Sequence, residues 1–216
     1  MGTGVMALDA QQEEQLSALK AWAEQYGNWI VGIALVVVAV AAGNWGWRWY
    51  VQRDAAAAAA LYEQYSEAVS AKDAAKARDM AAALLQQHGS SAFATFAALA
   101  QARSSLDAGD IPAAKAQLQW VIDKSSSKEL VTLARVRLAG ILLDEKAYAD
   151  ALALLAPDAP AALAAEVSDR RGDILLAQGK TAEARSAYAK ALEQAAAQNP
   201  LRPVIQSKLD ALPAAG

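Results

Sequence analysis

The sequence of 216 residues lacks cysteine and has a single histidine, His88. The absence of cysteine excludes disulfide scaffolds, cysteine-ligated zinc sites and thiol chemistry. One histidine argues against histidine-based metal sites and against Ser-His or Cys-His catalysis. The chain also has no glycine-rich phosphate loop and no nucleophile elbow. We therefore expect no catalytic residue, no cofactor and no metal, and we expect that the protein is not an enzyme.

Strand-forming segments and clustered positive charge are also scarce. Runs of valine, isoleucine and threonine are absent outside one apolar segment, whereas 57 residues are alanine, the best helix former. This composition predicts an all-α protein. The formal net charge of −3 and the pI near 5.2 argue against binding to nucleic acid, which relies on clustered lysine and arginine.

One apolar run, from Trp29 to Gly43, contains no charged residue. Together with the aromatic segment that follows it, the run covers residues 29–50, and a transmembrane helix needs about 20 residues. Tryptophan and arginine at the ends of such a run suit the membrane interface, which accommodates an apolar body and a polar tip. The sequence thus predicts a short N-terminal segment, residues 1–28, followed by a transmembrane helix. The predicted interface residues are Trp29, Trp45, Trp47, Arg48 and Trp49.

Three other interpretations of the apolar run are weaker. A buried core helix would make the grouping of tryptophans at its two ends a coincidence. A cleaved signal peptide needs a short basic leader, whereas residues 1–28 carry four acidic side chains and one lysine; Ala39-Val40-Ala41 nevertheless resembles a cleavage site. An interfacial helix needs a polar face, which the run lacks. We therefore favour a permanent anchor.

The charges that flank the run do not settle its orientation. Lys20 precedes it, whereas Arg48 and Arg53 lie at and beyond its end. Counted by the positive-inside rule, this difference would place the C-terminal part in the cytoplasm. The bias of two charges against one is weak, and long domains translocate largely regardless of charge.

Helix breaks recur at a nearly fixed interval after the apolar run. A tetratricopeptide unit is about 34 residues long and consists of two antiparallel helices joined by a tight turn. We therefore expect residues 54–212 to form a tetratricopeptide-like stack of antiparallel helix pairs. The expected turns, at offsets of 37, 37 and 33 residues, begin at Lys72, Gly109, Lys146 and Gly179.

Small residues stand at two matched positions around the last three of these turns. One position lies seven residues before the turn residue and the other five residues after it. Small residues let two helices approach closely, so we expect these positions to pack the repeats together. The predicted packing residues are Ala102, Ala114, Ala139, Ala151, Gly172 and Ala184.

Arg170 and Arg171 are candidates for binding a partner. Asp169 and Asp173 lie within about one helical turn of them, so one interpretation is a set of solvated ion pairs on a helix surface. The other is that one of the two arginines lies on the concave face of the stack and contacts a partner. Both interpretations stay open at this point.

Taken together, the acidic N-terminal segment, the apolar run ending in GWRWYVQR and the C-terminal string DRRGDILLAQGKTAEARSAYAKAL resemble the YfgM-type ancillary subunit family of the SecYEG translocon. The resemblance covers nearly the full chain. It implies a bacterial inner-membrane protein with a cytoplasmic N-terminus and a periplasmic repeat domain. It also implies association with SecYEG and with a membrane-anchored periplasmic chaperone of the prolyl-isomerase type, and a role in restraining a cytoplasmic response regulator.

Two functions fit this resemblance. A non-catalytic scaffold would hold a chaperone near the translocon and needs one complementary patch. A chaperone that binds clients directly, with the concave face of the repeats, needs an exposed apolar groove that adapts to many sequences.

Overall fold

The computed structural model describes residues 3–156 and 158–213. Within these ranges the chain is helical and contains no strand, so the predicted all-α fold is confirmed. The helices are α1 (Thr3–Ser70), α2 (Ala74–Gln87), α3 (Ala92–Asp107), α4 (Ile111–Lys124), α5 (Lys128–Asp144), α6 (Tyr148–Leu154), α7 (Ala164–Ala177), α8 (Thr181–Gln194) and α9 (Arg202–Asp210), with a 3₁₀ helix, Ala161–Leu163, between α6 and α7.

The chain divides into two units, Met1–Asp54 and Ala55–Gly216. The first unit contains the N-terminal part of α1, where apolar side chains such as Val31, Val37 and Val40 are exposed. Within the described ranges, one helical stretch, Val31–Ser70, is long and apolar enough to cross a membrane, judged by length and composition. The narrower limits expected from the sequence, residues 29–50, stay a prediction.

The second unit is a stack of helix pairs. The C-terminal part of α1 packs with α2, α3 packs with α4, α5 with α6, and α7 with α8, while α9 packs against α8. The alanine run from Ala55 to Ala60 favours helix strongly, so nothing in the local sequence ends α1 before Ser70.

The turns within the pairs lie where the sequence places them and share one geometry. In each, the turn residue is left-handed, and it and the next residue donate backbone hydrogen bonds back to the first helix. This closure satisfies carbonyls that the end of a helix would otherwise leave free. The four left-handed residues are Lys72, Gly109, Lys146 and Gly179, with φ of 56°, 77°, 62° and 77°.

The first helices α3, α5 and α7 each lie between two layers of the core, whereas the buried residues described in α1 belong to one layer. In α5, Leu138 belongs to the cluster shared with α3 and α4, while its neighbour Ala139 belongs to the cluster shared with α6 and α7. In α7, Ile174 and Leu175 divide in the same way between the α5–α6 layer and the α8–α9 layer. Every pair thus buries its apolar surface against its neighbours, as in repeat proteins generally.

The third pair departs from the others because its second helix is short. α6 has seven residues, whereas α2, α4 and α8 have 14 each. A proline disfavours helical geometry in the residue before it, and Pro160 opens the 3₁₀ helix that replaces the missing turns. Pro157, the other expected break, lies outside the described residues.

Candidate partner-binding surfaces

The predicted interface residues lie on α1. The side chains of Trp29, Trp45, Trp47 and Trp49 are exposed, and so is that of Arg48. The exposure leaves large apolar rings available to lipid headgroups, which is where tryptophan collects. Their assignment to the membrane interface stays a prediction.

The predicted packing residues are all buried in the stack. At Gly172 the helices approach most closely, because a Cβ built on it would lie 2.5 Å from Cε1 of Tyr188. The other five are at most 1% exposed: Ala102, Ala114, Ala139, Ala151 and Ala184. These positions therefore lie where small side chains matter, although their role in repeat packing stays a prediction.

The two candidate arginines both contact their own chain. Arg171 donates a hydrogen bond of 2.9 Å to the carbonyl oxygen of Leu155, which ties α7 to the end of α6. Arg170 pairs with Asp173 at 3.3 Å, and its guanidinium faces Gly140 on α5. The Arg170 Nε is buried and has no hydrogen-bond partner. Both side chains keep part of their surface exposed, and partner binding by them stays a prediction.

The acidic neighbours of these arginines are held by α9. Nζ of Lys208 lies 2.8 Å from both carboxylate oxygens of Asp169 and 2.8 Å from Oδ1 of Asp173. The hydroxyl of Tyr188 donates to the same Asp173 oxygen at 2.8 Å. This network joins α7, α8 and α9.

Burial shifts the ionisation of two members of the network. Removal from water raises the pKa of Asp169, and the hydrogen bond from Lys208 offsets part of that rise. Burial, followed by the hydrogen bond to Asp173, raises the pKa of Tyr188, so the phenol stays a neutral donor. The network stabilises the packing of α7, α8 and α9. Its polar groups already form hydrogen bonds with one another.

An apolar groove that the sequence analysis missed lies along α4, α5 and α6. It has a volume of about 640 Å³. Its lining includes the apolar side chains of Ile122, Leu138, Leu142 and Leu154 and the charged side chains of Lys115, Arg135 and Asp150. The signal available in the sequence was the helix break expected soon after the turn at Lys146, which predicts a short second helix in the third pair.

Among the residues whose side chains the structure describes, no three histidine, aspartate or glutamate side chains are grouped so as to hold a metal ion.

Comparison with known proteins gives the family. Residues 20–214 match the family described as "Tetratricopeptide repeat-like domain". The "Ancillary SecYEG translocon subunit" of Neisseria gonorrhoeae is 30% identical over 216 residues, which covers 96% of this chain and 100% of that protein. The protein of the same name from Haemophilus influenzae is 25% identical over 186 residues, covering 86% of this chain and 91% of that protein.

The chain belongs to the YfgM-type family of ancillary SecYEG translocon subunits. The family match begins at Lys20, ahead of the apolar run, and so includes the candidate membrane helix as well as all the helix pairs. The resemblance drawn from the sequence is confirmed. The candidate span and the family together fit a membrane-anchored protein with a tetratricopeptide-like domain.

Proposed function

We propose that this member of the YfgM-type family is a non-catalytic, membrane-anchored interaction scaffold. It associates with the SecYEG translocon and with a membrane-anchored periplasmic chaperone of the prolyl-isomerase type, and so assists the biogenesis of secreted or envelope proteins. The observation that carries this proposal is the similarity, along 96% of the chain, to a protein named ancillary SecYEG translocon subunit.

The proposed topology follows from the same family. Residues 1–28 lie in the cytoplasm, residues 29–50 cross the bacterial inner membrane and residues 54–212 lie in the periplasm. In this arrangement, a cytoplasmic response regulator would meet only the N-terminal segment. The candidate span supports the anchor, because its exposed apolar side chains need a lipid environment.

The repeat stack suits a scaffold for a physical reason. The first helices α3, α5 and α7 are packed between two core layers, which fixes their outward faces. A fixed face loses little conformational entropy when a partner binds. Such a surface can hold one partner beside another without any chemical step.

The test is capture from membranes. The tagged full chain is isolated in a mild non-ionic detergent, and bound proteins are quantified by mass spectrometry. The control keeps residues 1–54 and replaces the remainder by an unrelated soluble domain of similar size. We expect the full chain to enrich the SecYEG subunits and the periplasmic chaperone above the control. No enrichment of either above the control would refute the scaffold function.

The apolar groove favours a second candidate function, direct binding of unfolded clients. Ala153 lies in the groove lining, whereas Ala149, on the same helix, does not; both are exposed, so a lysine at either position leaves the core intact. A permanently unfolded polypeptide, reduced and carboxymethylated α-lactalbumin, serves as the probe. Loss of binding in Ala153→Lys but not in Ala149→Lys would favour client binding. No difference between the two variants favours the scaffold.

A further inference from the structure

Three arginines follow one face of the first helices of successive pairs. Arg137 on α5 and Arg170 on α7 each lie nine residues before their turn residue, and Arg103 on α3 lies six residues before its own. Positions three residues apart share a face of an α-helix. The repeat therefore places a guanidinium on the same side of three neighbouring first helices.

Core packing and one close contact relate the three helices that carry this face. α3 and α5 contribute to one core cluster, which includes Ala102, the neighbour of Arg103, and Leu138, the neighbour of Arg137. The guanidinium of Arg170 lies beside Gly140, one helical turn after Arg137, where a Cβ would be 3.4 Å from its Cζ. Partial burial lowers the pKa of Arg137, and the charge of Arg103 lowers it further.

The carboxylates on this face leave Arg137 without a counter-charge. Asp107 holds Arg103, with its two oxygens 2.9 and 3.0 Å from Nε. Asp173 holds Arg170 and is shared with Lys208. Among the residues whose side chains the structure describes, none forms a hydrogen bond or an ion pair with the Arg137 side chain. The guanidinium of Arg137 is thus available for a carboxylate of a partner.

Apolar side chains continue the same face toward the start of these helices. Phe96 precedes Arg103 by seven residues and is 42% exposed. Leu133 precedes Arg137 by four residues and is partly exposed. Seven helical residues rise about 10 Å, which is about the length of three residues of an extended peptide.

We propose that the surface formed by Phe96, Arg103, Leu133 and Arg137 binds an acidic segment of a partner polypeptide. A carboxylate of the segment pairs with Arg137, because a planar guanidinium can donate two hydrogen bonds to a carboxylate. An apolar side chain about three residues away packs on Phe96 and Leu133. The identity of the partner as a translocation-associated protein rests on the proposed function.

The charge pattern favours a peptide over a polyanion. Asp107 and Asp144 are exposed and, by helical spacing, lie on the same face as the arginines. They confine the positive potential to a small patch. One or two carboxylates fit such a patch, whereas a nucleic acid or an anionic lipid surface would meet the flanking negative charges as well.

The test measures binding of a defined peptide to the full chain in a non-ionic detergent. The probe is a dye-labelled twelve-residue peptide with the core Leu-Ser-Ser-Glu-Glu in glycine-serine flanks, followed by fluorescence anisotropy. We expect Arg137→Gln to weaken binding about tenfold, a difference of about 1.4 kcal/mol. The matched control, Arg78→Gln, changes an exposed arginine of α2 that belongs neither to this surface nor to the groove, and it should bind within about twofold of the parent.

Three results would overturn the proposal. One is equal binding by the parent and Arg137→Gln, and another is equal binding of a peptide with Gln-Gln in place of Glu-Glu. The third is Arg137-dependent binding of phosphatidylglycerol vesicles or polyphosphate without binding of the peptide. If the peptide does not bind but SecYEG is still captured from membranes, this inference fails and the proposed function stands. If the peptide binds through Arg137 but SecYEG is not captured, the surface stands and the proposed function fails.

Discussion

Gly172 lies against the ring of Tyr188, and the absence of a side chain at Gly172 allows α7 and α8 to pack closely there. A Cβ on Gly172 would come within 2.5 to 2.9 Å of three ring atoms. Tyr188 cannot move easily, because it is buried and its hydroxyl is bonded to Asp173. A glycine in a helix interior is unfavourable by about 1 kcal/mol relative to alanine, so the close approach of α7 and α8 must outweigh that cost.

Replacing Gly172 by alanine is therefore expected to destabilise the protein. The added methyl overpacks the α7–α8 contact, with a cost of about 1–3 kcal/mol in the free energy of unfolding. The control is Gly140→Ala, where the new Cβ meets only the mobile end of Arg170 at 3.4 Å. Urea unfolding monitored by circular dichroism checks both. Equal stability of Gly172→Ala and the parent would contradict this interpretation of the contact.

Lys146 holds a left-handed conformation that glycine adopts at no cost. Its φ is 62°, whereas the equivalent turn residues of the second and fourth pairs are glycines with φ of 77°. A left-handed non-glycine residue costs about 1–2 kcal/mol. The sequence thus stores a small strain in this turn.

We expect Lys146→Gly to raise the free energy of unfolding by roughly 0.5–1 kcal/mol, since part of the relieved strain is offset by the freedom of glycine in the unfolded chain. Asp144→Gly, two residues earlier in the last turn of α5, is the matched control and should lower stability by a similar amount. Thermal melts compare the two. A loss of stability in Lys146→Gly would show that its side chain makes a contact worth more than the strain.

At the scale of elements, α9 is attached to the stack by apolar side chains and by two cations, Arg202, which donates to the carbonyl oxygens of Leu192 and Ala195, and Lys208. Ile205 is fully buried in the last core cluster, and Lys208 bridges Asp169 and Asp173 on α7. Burial raises the pKa of Asp169, so the folded chain binds that proton more tightly than the unfolded chain. The stability contributed by Asp169 is therefore full below the unfolded pKa and is lost as pH rises through the raised, folded pKa.

Lys208→Met should increase the stability that the protein loses through Asp169 as the pH rises. Without the cation, the pKa of Asp169 rises further, and two carboxylates face each other when both are ionised. We expect a destabilisation of about 2 kcal/mol at pH 7.5 and a smaller one at pH 4, where Asp169 takes up a proton. Lys190→Met, an exposed position on α8, is the control and should show no such pH dependence. Denaturant unfolding at the two pH values checks the difference; an equal cost at both would contradict the assignment.

The elements differ in how far the sequence predicts them. The turns at Gly109 and Gly179 are predictable because their chemistry is local: a left-handed position follows a helix end. The Lys208 bridge is not, because its partners lie 39 and 35 residues away in the chain. Sequence spacing suggests pairs between Asp169 and the adjacent arginines, whereas the fold pairs it with a cation from α9. The groove was missed for the same reason, since it depends on where the short α6 leaves α4 and α5 uncovered.

At the scale of the whole molecule, neighbouring helix pairs share the layers of the hydrophobic core. Neighbouring residues of α5, Leu138 and Ala139, belong to different layers, so α5 couples the pairs on either side of it. In such an array each repeat is stabilised mainly by its nearest neighbours. The proposed acidic-peptide surface uses this regularity, because it takes one arginine and one apolar side chain from each of two successive first helices.

The orientation of the chain in the membrane is the last prediction. Two basic residues, Arg48 and Arg53, lie on the C-terminal side of the apolar run and one, Lys20, on the N-terminal side, so the positive-inside rule favours a cytoplasmic repeat domain. The YfgM-type family implies a periplasmic one. We give the family more weight, since a bias of two charges to one is small and a domain of this length translocates largely regardless of it. The complete absence of cysteine also suits an oxidising compartment.

A phosphatase that becomes active only after its disulfides form in the periplasm is fused after Gly216, and a fluorescent protein that matures only in the cytoplasm is fused there in a parallel chain. We expect an active phosphatase and a dark fluorescent fusion. Adding two lysines beside Lys20 reverses the local charge bias, so it should leave this result unchanged or strengthen it. A fluorescent fusion together with an inactive but expressed phosphatase would place the repeats in the cytoplasm. The flank charges would then be the better guide, and the proposed periplasmic partners would have no access to the arginine face.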